Sequence, residues 1–205
     1  MRRNFEILGF TMSCFAVVTQ LILMLHNREA GVGETMLRFV SYFTILTNGL
    51  VSLYFAVRVF GLKRRMWVLF HRRATPMALT AFILVVGLVY QVALRKIWNP
   101  TGLQMIVDEL LHTIVPVFMY VYWLMFQARN LVMWQELRSW LLFPVLYLGW
   151  VLLRGYYSGF YPYPFLNRDQ LGTGTLVLNI SMVLALMLLV MAALYFLGRL
   201  LRPKQ

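Results

Sequence analysis

Six apolar runs, divided by short polar loops, leave this chain few folds to choose from. They extend approximately over Phe5–Leu25, Leu37–Leu62, Pro76–Leu94, Met105–Phe126, Trp140–Tyr157 and Thr175–Leu197. A helix needs ~20 apolar residues to cross the hydrocarbon of a bilayer, and each run reaches or approaches that length. Hydrophobic residues make up 61% of the 205 positions, against roughly 45–50% in a soluble domain, so a water-soluble fold could not hide them. The sequence predicts an all-α integral membrane bundle of six transmembrane helices. It forms one domain over residues 1–205, because no polar stretch is long enough to build a second core. The first run is too long for a signal-peptide core and lacks a small-residue cleavage site, so it reads as a retained helix. Arg138 and Arg154 bracket the fifth run, the weakest, which is therefore expected either to be short or to let Arg154 reach for headgroups. Pro76 suits a helix start, whereas Pro116 and Pro144 are expected to kink the helices that contain them.

Charge gives the orientation and narrows the partners. The 19 basic and 7 acidic residues leave a net charge of +12. The bases lie between apolar runs, which points to anionic lipid headgroups and away from nucleic acid. With the N-terminus inside, the inner side holds 13 of the 19 bases: Arg2, Arg3, Arg58, Lys63, Arg64, Arg65, Arg72, Arg73, Arg129, Arg138, Arg199, Arg202 and Lys204. The other 6 are Arg28, Arg38, Arg95, Lys96, Arg154 and Arg168. That asymmetry predicts cytoplasmic termini. The loop Lys63–Arg73 interleaves bases with Met66, Trp67, Leu69 and Phe70, the composition of a segment lying in the inner headgroup layer. Cys14 is the sole cysteine, so no internal disulfide and no cysteine-based metal site can form.

Ionisable groups at membrane depth are costly and mark candidate sites. Asp108-Glu109-Leu110-Leu111-His112-Thr113 places such groups near the start of the fourth run. Asp108 and His112 stand four residues apart and share a helix face, so the acid can fix the imidazole tautomer as in a nucleophile–base–acid set. A polar knot that only fixes helix packing fits the same spacing. Glu109 turns away by ~100° toward headgroups. On the second run, Ser41, Thr44 and Asn48 share a face, with Thr47 beside them; Ser and Thr in such helices also commonly bond their own backbone. Thr44 and His112 each fall about seven residues into runs of the same direction, roughly 10 Å deep at 1.5 Å per residue, and so could meet. The longest outer loop, Gly155–Gly174, carries Tyr161-Pro162-Tyr163-Pro164-Phe165-Leu166 and reads equally as an aromatic anchor or a lid. Haem would require a second axial ligand near His112, and neither His26 nor His71 is placed to supply it. The glycines at 31, 33, 172 and 174 follow no strand, so they do not form a nucleotide-binding turn.

Three stretches, Tyr42-Phe43-Thr44-Ile45-Leu46, Leu111-His112-Thr113 followed by Pro116, and the Tyr161–Leu166 loop, resemble in that order the androgen-induced and androgen-dependent TFPI-regulating family of membrane hydrolases, and within it the bacterial six-helix relatives. The resemblance covers most of the chain, but only these motifs are informative. It implies a cofactor-free hydrolase of lipid esters, of the fatty acid ester of hydroxy fatty acid type, in the bacterial inner membrane with its site toward the outer leaflet. Carried over by motif, the nucleophile falls on Thr44 and the base on His112. The chain departs from the pattern in having Thr47 one turn on, and Asp108 where the animal proteins carry an amide. On this reading Asp108 orients His112, and Tyr42, Asn48 or an outer-loop N–H supplies the oxyanion donor. Asn48, Tyr42, Arg154, Tyr161, Tyr163 and Phe165 are the candidate substrate contacts. For Arg154, a lipid carboxylate competes with plain headgroup contact. Two other readings stand beside the hydrolase: a small-molecule or proton-coupled carrier, disfavoured by the lack of an internal repeat, and a non-catalytic membrane protein with a structural polar cluster.

Overall fold

The computed structural model describes residues 1–202, so Lys204 lies outside the described residues. The chain is all-helical, with no strand among those residues. The helices are α1 (Arg2–His26), α2 (Val32–Phe39), α3 (Phe43–Val59), α4 (Val68–His71), α5 (Thr75–Val89), α6 (Gly102–Glu109), α7 (Val115–Phe126), α8 (Trp134–Arg138), α9 (Leu142–Ser158) and α10 (Thr173–Leu200). Five helical rods are long and apolar enough to cross a membrane, and a sixth if α2 and α3 count as one bent span. The protein is a multi-pass membrane protein.

α5 is the hub. It is the most buried rod, with 61% of its apolar window inside the bundle, and it packs against α3, α7 and α10. Leu79, Phe82 and Ile83 of α5 meet Val51 and Phe55 of α3, Met119 and Trp123 of α7, and Met191 of α10 in one core. α10 is apolar on all sides yet mostly bare, with Leu178, Leu189 and Phe196 outward; in a bilayer that face meets lipid rather than water.

Three expected features come out differently. The second run is not one helix from Leu37 to Leu62: it breaks between α2 and α3 with a bend of 73°. The Ser41 hydroxyl donates to the Leu37 carbonyl at 2.6 Å and Tyr42 is extended (φ −84°, ψ 121°), which stops the helical ladder there. Ser41 therefore stands outside the helix that carries Thr44 and Asn48, and Thr44 is the second residue of a helix rather than seven residues into one. The fifth run is not short. α8, a 3₁₀ turn at Ser139–Leu141 and α9 make a 25-residue rod, Trp134–Ser158. Pro144 falls in the first turn of α9, just after that tightened turn, where a missing N–H costs little. Pro116 is the second residue of α7 and follows a π-helical turn, Leu110–Ile114, which absorbs its missing donor. A second π turn, Tyr90–Leu94, continues α5.

A polar cluster sits where α1 begins and α3 and α7 end. The buried Glu6 carboxylate accepts from Arg2 Nε (3.0 Å), Arg58 Nε (3.2 Å) and the Tyr122 hydroxyl (2.8 Å). Gln127 donates to the same Tyr122 hydroxyl at 3.3 Å. In the 60–74 connection, Phe70 is buried in the core and Trp67 packs against it, while Met66 is exposed.

Candidate functional site

The opposite end of the bundle holds the residues singled out from sequence. The bend at Val40–Tyr42 points the first turn of α3 into the bundle. An α-helix leaves its first N–H groups without partners in its own ladder, and two tyrosines fill that role here. Tyr147 of α9 accepts from the Phe43 N–H at 3.2 Å and donates to the Ser41 carbonyl at 2.9 Å. Tyr163 accepts from the Thr44 N–H at 3.3 Å. The Thr44 hydroxyl lies 3.3 Å from the Tyr163 hydroxyl and 3.3 Å from His112 Nε2.

His112 is held from three sides. Its Nδ1 lies 3.0 Å from the Asp108 carbonyl oxygen and 3.2 Å from Asp108 Oδ1. With Nδ1–H donating there, Nε2 presents its lone pair to Thr44. Tyr90 stacks on the imidazole, ring centroids 4.2 Å apart and 14° from parallel, and its hydroxyl donates to Asp108 Oδ2. Both partners come from π turns, Tyr90 from the one ending α5 and His112 from the one between α6 and α7. Such turns widen a helix and recur at functional sites because they re-aim side chains. Gln91 donates to Thr113 Oγ1 at 3.0 Å and ties the two turns together.

The other candidates divide. Asn48 Nδ2 donates to the carbonyls of Thr44 (2.9 Å) and Leu111 (3.1 Å), locking α3 to the His112 turn; with both donors committed, it has none for an oxyanion. Thr47 is fully buried, and its hydroxyl has no partner among the described residues. Tyr42 packs edge-on against Tyr163 at 5.9 Å. Phe165 stacks flat on Tyr163 at 5.2 Å. The Tyr161 ring lies on Gly155, where any Cβ would fall 2.1 Å from it. Arg154 does not reach out to headgroups: it is buried, donates to Glu34 Oε1 at 2.6 Å and lies over the Phe160 ring at 4.7 Å. Glu109 is engaged by Arg95.

Phe43, Thr44, Tyr147, Tyr163 and Phe165 open onto a narrow cavity of about 60 Å³ whose other walls are apolar, among them Val86 of α5, Leu148 of α9 and Leu184 of α10. Burial pushes the Tyr163 phenol above its ordinary range, opposed in part by its hydrogen bonds with Thr44, so it stays a protonated donor at neutral pH. Among the described residues, no three His, Cys, Asp or Glu side chains cluster as a metal site requires. Tyr90 and Tyr147 were not legible as site residues: each sits in an apolar run where a tyrosine reads as an interface anchor. No protein-family model, curated protein or solved structure matches this chain.

Proposed function

We propose that this protein hydrolyses lipid esters, of the fatty acid ester of hydroxy fatty acid type, with Thr44 as nucleophile and His112 as general base. The observation that carries the nucleophile and base is the relay Thr44 Oγ1–His112 Nε2 (3.3 Å) and His112 Nδ1–Asp108 (3.2 Å), beside an apolar cavity, while the ester class follows from the resemblance. An orienting acid, a base with its lone pair free and a hydroxyl within reach are the parts of nucleophilic acyl transfer.

In the first half-reaction Thr44 Oγ1 attacks the ester carbonyl carbon as its proton passes to His112 Nε2. The carbonyl electron pair moves onto oxygen, and collapse of the adduct expels the alcohol oxygen, which takes the proton back from Nε2. In the second, water gives a proton to Nε2 and its oxygen attacks the acyl-Thr44 carbonyl. The carboxylic acid departs, and Thr44 regains its proton from His112. Asp108 stabilises the imidazolium formed in each half, and Tyr90 holds Asp108 in place. Tyr163 is the best-supported oxyanion donor: its protonated phenol touches both Thr44 Oγ1 and Thr44 N, beside the point where the acyl oxygen must sit. The preference for Thr44 over Thr47 rests on contact, since only Thr44 meets His112.

The basic-residue asymmetry supports cytoplasmic termini and a site opening toward the outer leaflet, in a bacterial inner membrane. Purified protein in detergent, given an ester between a long-chain acid and a hydroxy fatty acid, is expected to release both acids, measured by mass spectrometry. The T44A variant should release neither and H112A should release them at least about a hundredfold more slowly, both keeping a wild-type melting profile. Undiminished release by T44A would overturn the assignment. An inert wild type with an H112A variant that melts early would favour the packing-knot reading.

A further inference from the structure

Where α10 ends, its last turn and the 127–133 segment enclose a second cavity, of about 340 Å³. Gly198 makes the approach possible: a Cβ there would lie 2.9 Å from the Ala128 carbonyl oxygen. One side of the cavity is apolar and aromatic, with Met77 at the wall and Trp134 edge-on to Tyr195 at 5.5 Å. Gln135, Arg199 and Arg202 also line the cavity, and the Arg199 guanidinium lies over the Tyr195 ring at 5.8 Å. Among the described residues neither arginine has an ion-pair partner. The next carboxylate in the chain, Glu136, is turned back onto the Met133 N–H at 3.0 Å.

We infer that this cavity binds the phosphate of an anionic phospholipid. Two guanidinium groups in one cavity, neither in an ion pair among the described residues, match phosphate, which they engage through paired, charge-assisted hydrogen bonds. The lining selects a lipid over a free anion. Trp and Tyr with one apolar and one wet side belong at the membrane interface. α10 is also bare and apolar at Leu189, Phe196 and Leu200, where acyl chains meet it in a bilayer. The site is independent of the hydrolase reading, because it shares no residue with the Thr44 cavity.

Native mass spectrometry of detergent-purified protein tests it, since a micelle of neutral detergent removes the general attraction of an anionic membrane. Wild-type protein should retain one phosphatidylglycerol per chain, and should keep it when phosphatidylcholine is in tenfold excess. R199Q/R202Q should lose it by at least about tenfold, as expected for two bases each contributing severalfold near an anionic headgroup. R64Q/R65Q, with the same loss of charge, should retain it. Gln135→Trp, which fills the cavity without changing charge, should also lose it, and keeps the test sound if the arginine variants fold poorly. Equal losses from both arginine pairs, or retention by Gln135→Trp, would overturn the site. Displacement of the lipid by millimolar inorganic phosphate would overturn the lipid assignment and leave a free-phosphate site.

Discussion

The two polar clusters of this bundle share ingredients and differ in how completely those ingredients are used. Around Glu6, one carboxylate oxygen takes three donors at 2.8–3.2 Å, and the Tyr122 hydroxyl that supplies one of them also receives Gln127. Around Thr44, the decisive contacts are longer, 3.3 Å to His112 and 3.3 Å to Tyr163, and the group opens onto a cavity. The four buried side-chain polar atoms without a partner among the described residues, Thr47 Oγ1, Asn48 Oδ1, Arg154 Nη1 and the Tyr161 hydroxyl, all belong to the Thr44 end of the bundle. A buried polar group left unpaired costs ~1–3 kcal/mol. A chain that needed only a packing knot could satisfy its groups, as it does at Glu6. On the proposed function, these unpaired atoms are where bound substrate or water would be met.

Substitutions can break that contrast or sharpen it. The largest effect is expected at Thr44: T44A should abolish ester hydrolysis in the product assay, with the melting temperature little changed because Ala tolerates the first turn of a helix. H112A should lower turnover by ~10²–10⁴, the range for loss of a general base. Y163F should lower kcat by ~10²–10³ if its hydroxyl meets the oxyanion; a change confined to KM would return Tyr163 to a role in substrate contact. At the other cluster, Glu6→Leu should leave turnover intact and cost about 2 kcal/mol of stability, read as an earlier melt, because it strands Tyr122 and two half-exposed arginines. The smallest effect is expected at Tyr90. Y90F keeps the stack on His112 and loses only the bond to Asp108, so kcat should fall by about tenfold. An H112A variant that destabilised the protein as much as Glu6→Leu would erase the distinction.

Much of this was readable in the sequence, and the failures have physical causes. Apolar run length announced the all-helical membrane architecture because a bilayer demands it of any chain. Asp108 and His112 were visible because charge is rare at such depth. The break at Ser41–Tyr42 was hidden, since a serine bonding back to Leu37 looks like any serine in an apolar run. That break also replaced the depth arithmetic for Thr44 with a helix start. Thr44 still meets His112, through the bend between α2 and α3 and a π turn that no spacing rule describes. Arg154 turns inward and not to headgroups because Glu34, a partner 120 positions away in the chain, holds it. Tyr90 and Tyr147 carried no signal, as their roles exist only once α5, α9 and the first turn of α3 are brought together.

Activation of Thr44 by His112 is read most directly by fluorophosphonate labelling with mass-spectrometric location of the adduct. The expected result is an adduct on Thr44 in the wild type, absent in H112A and undiminished in Glu6→Leu. No adduct in folded wild-type protein, or an adduct on Thr44 that survives in H112A, would contradict it.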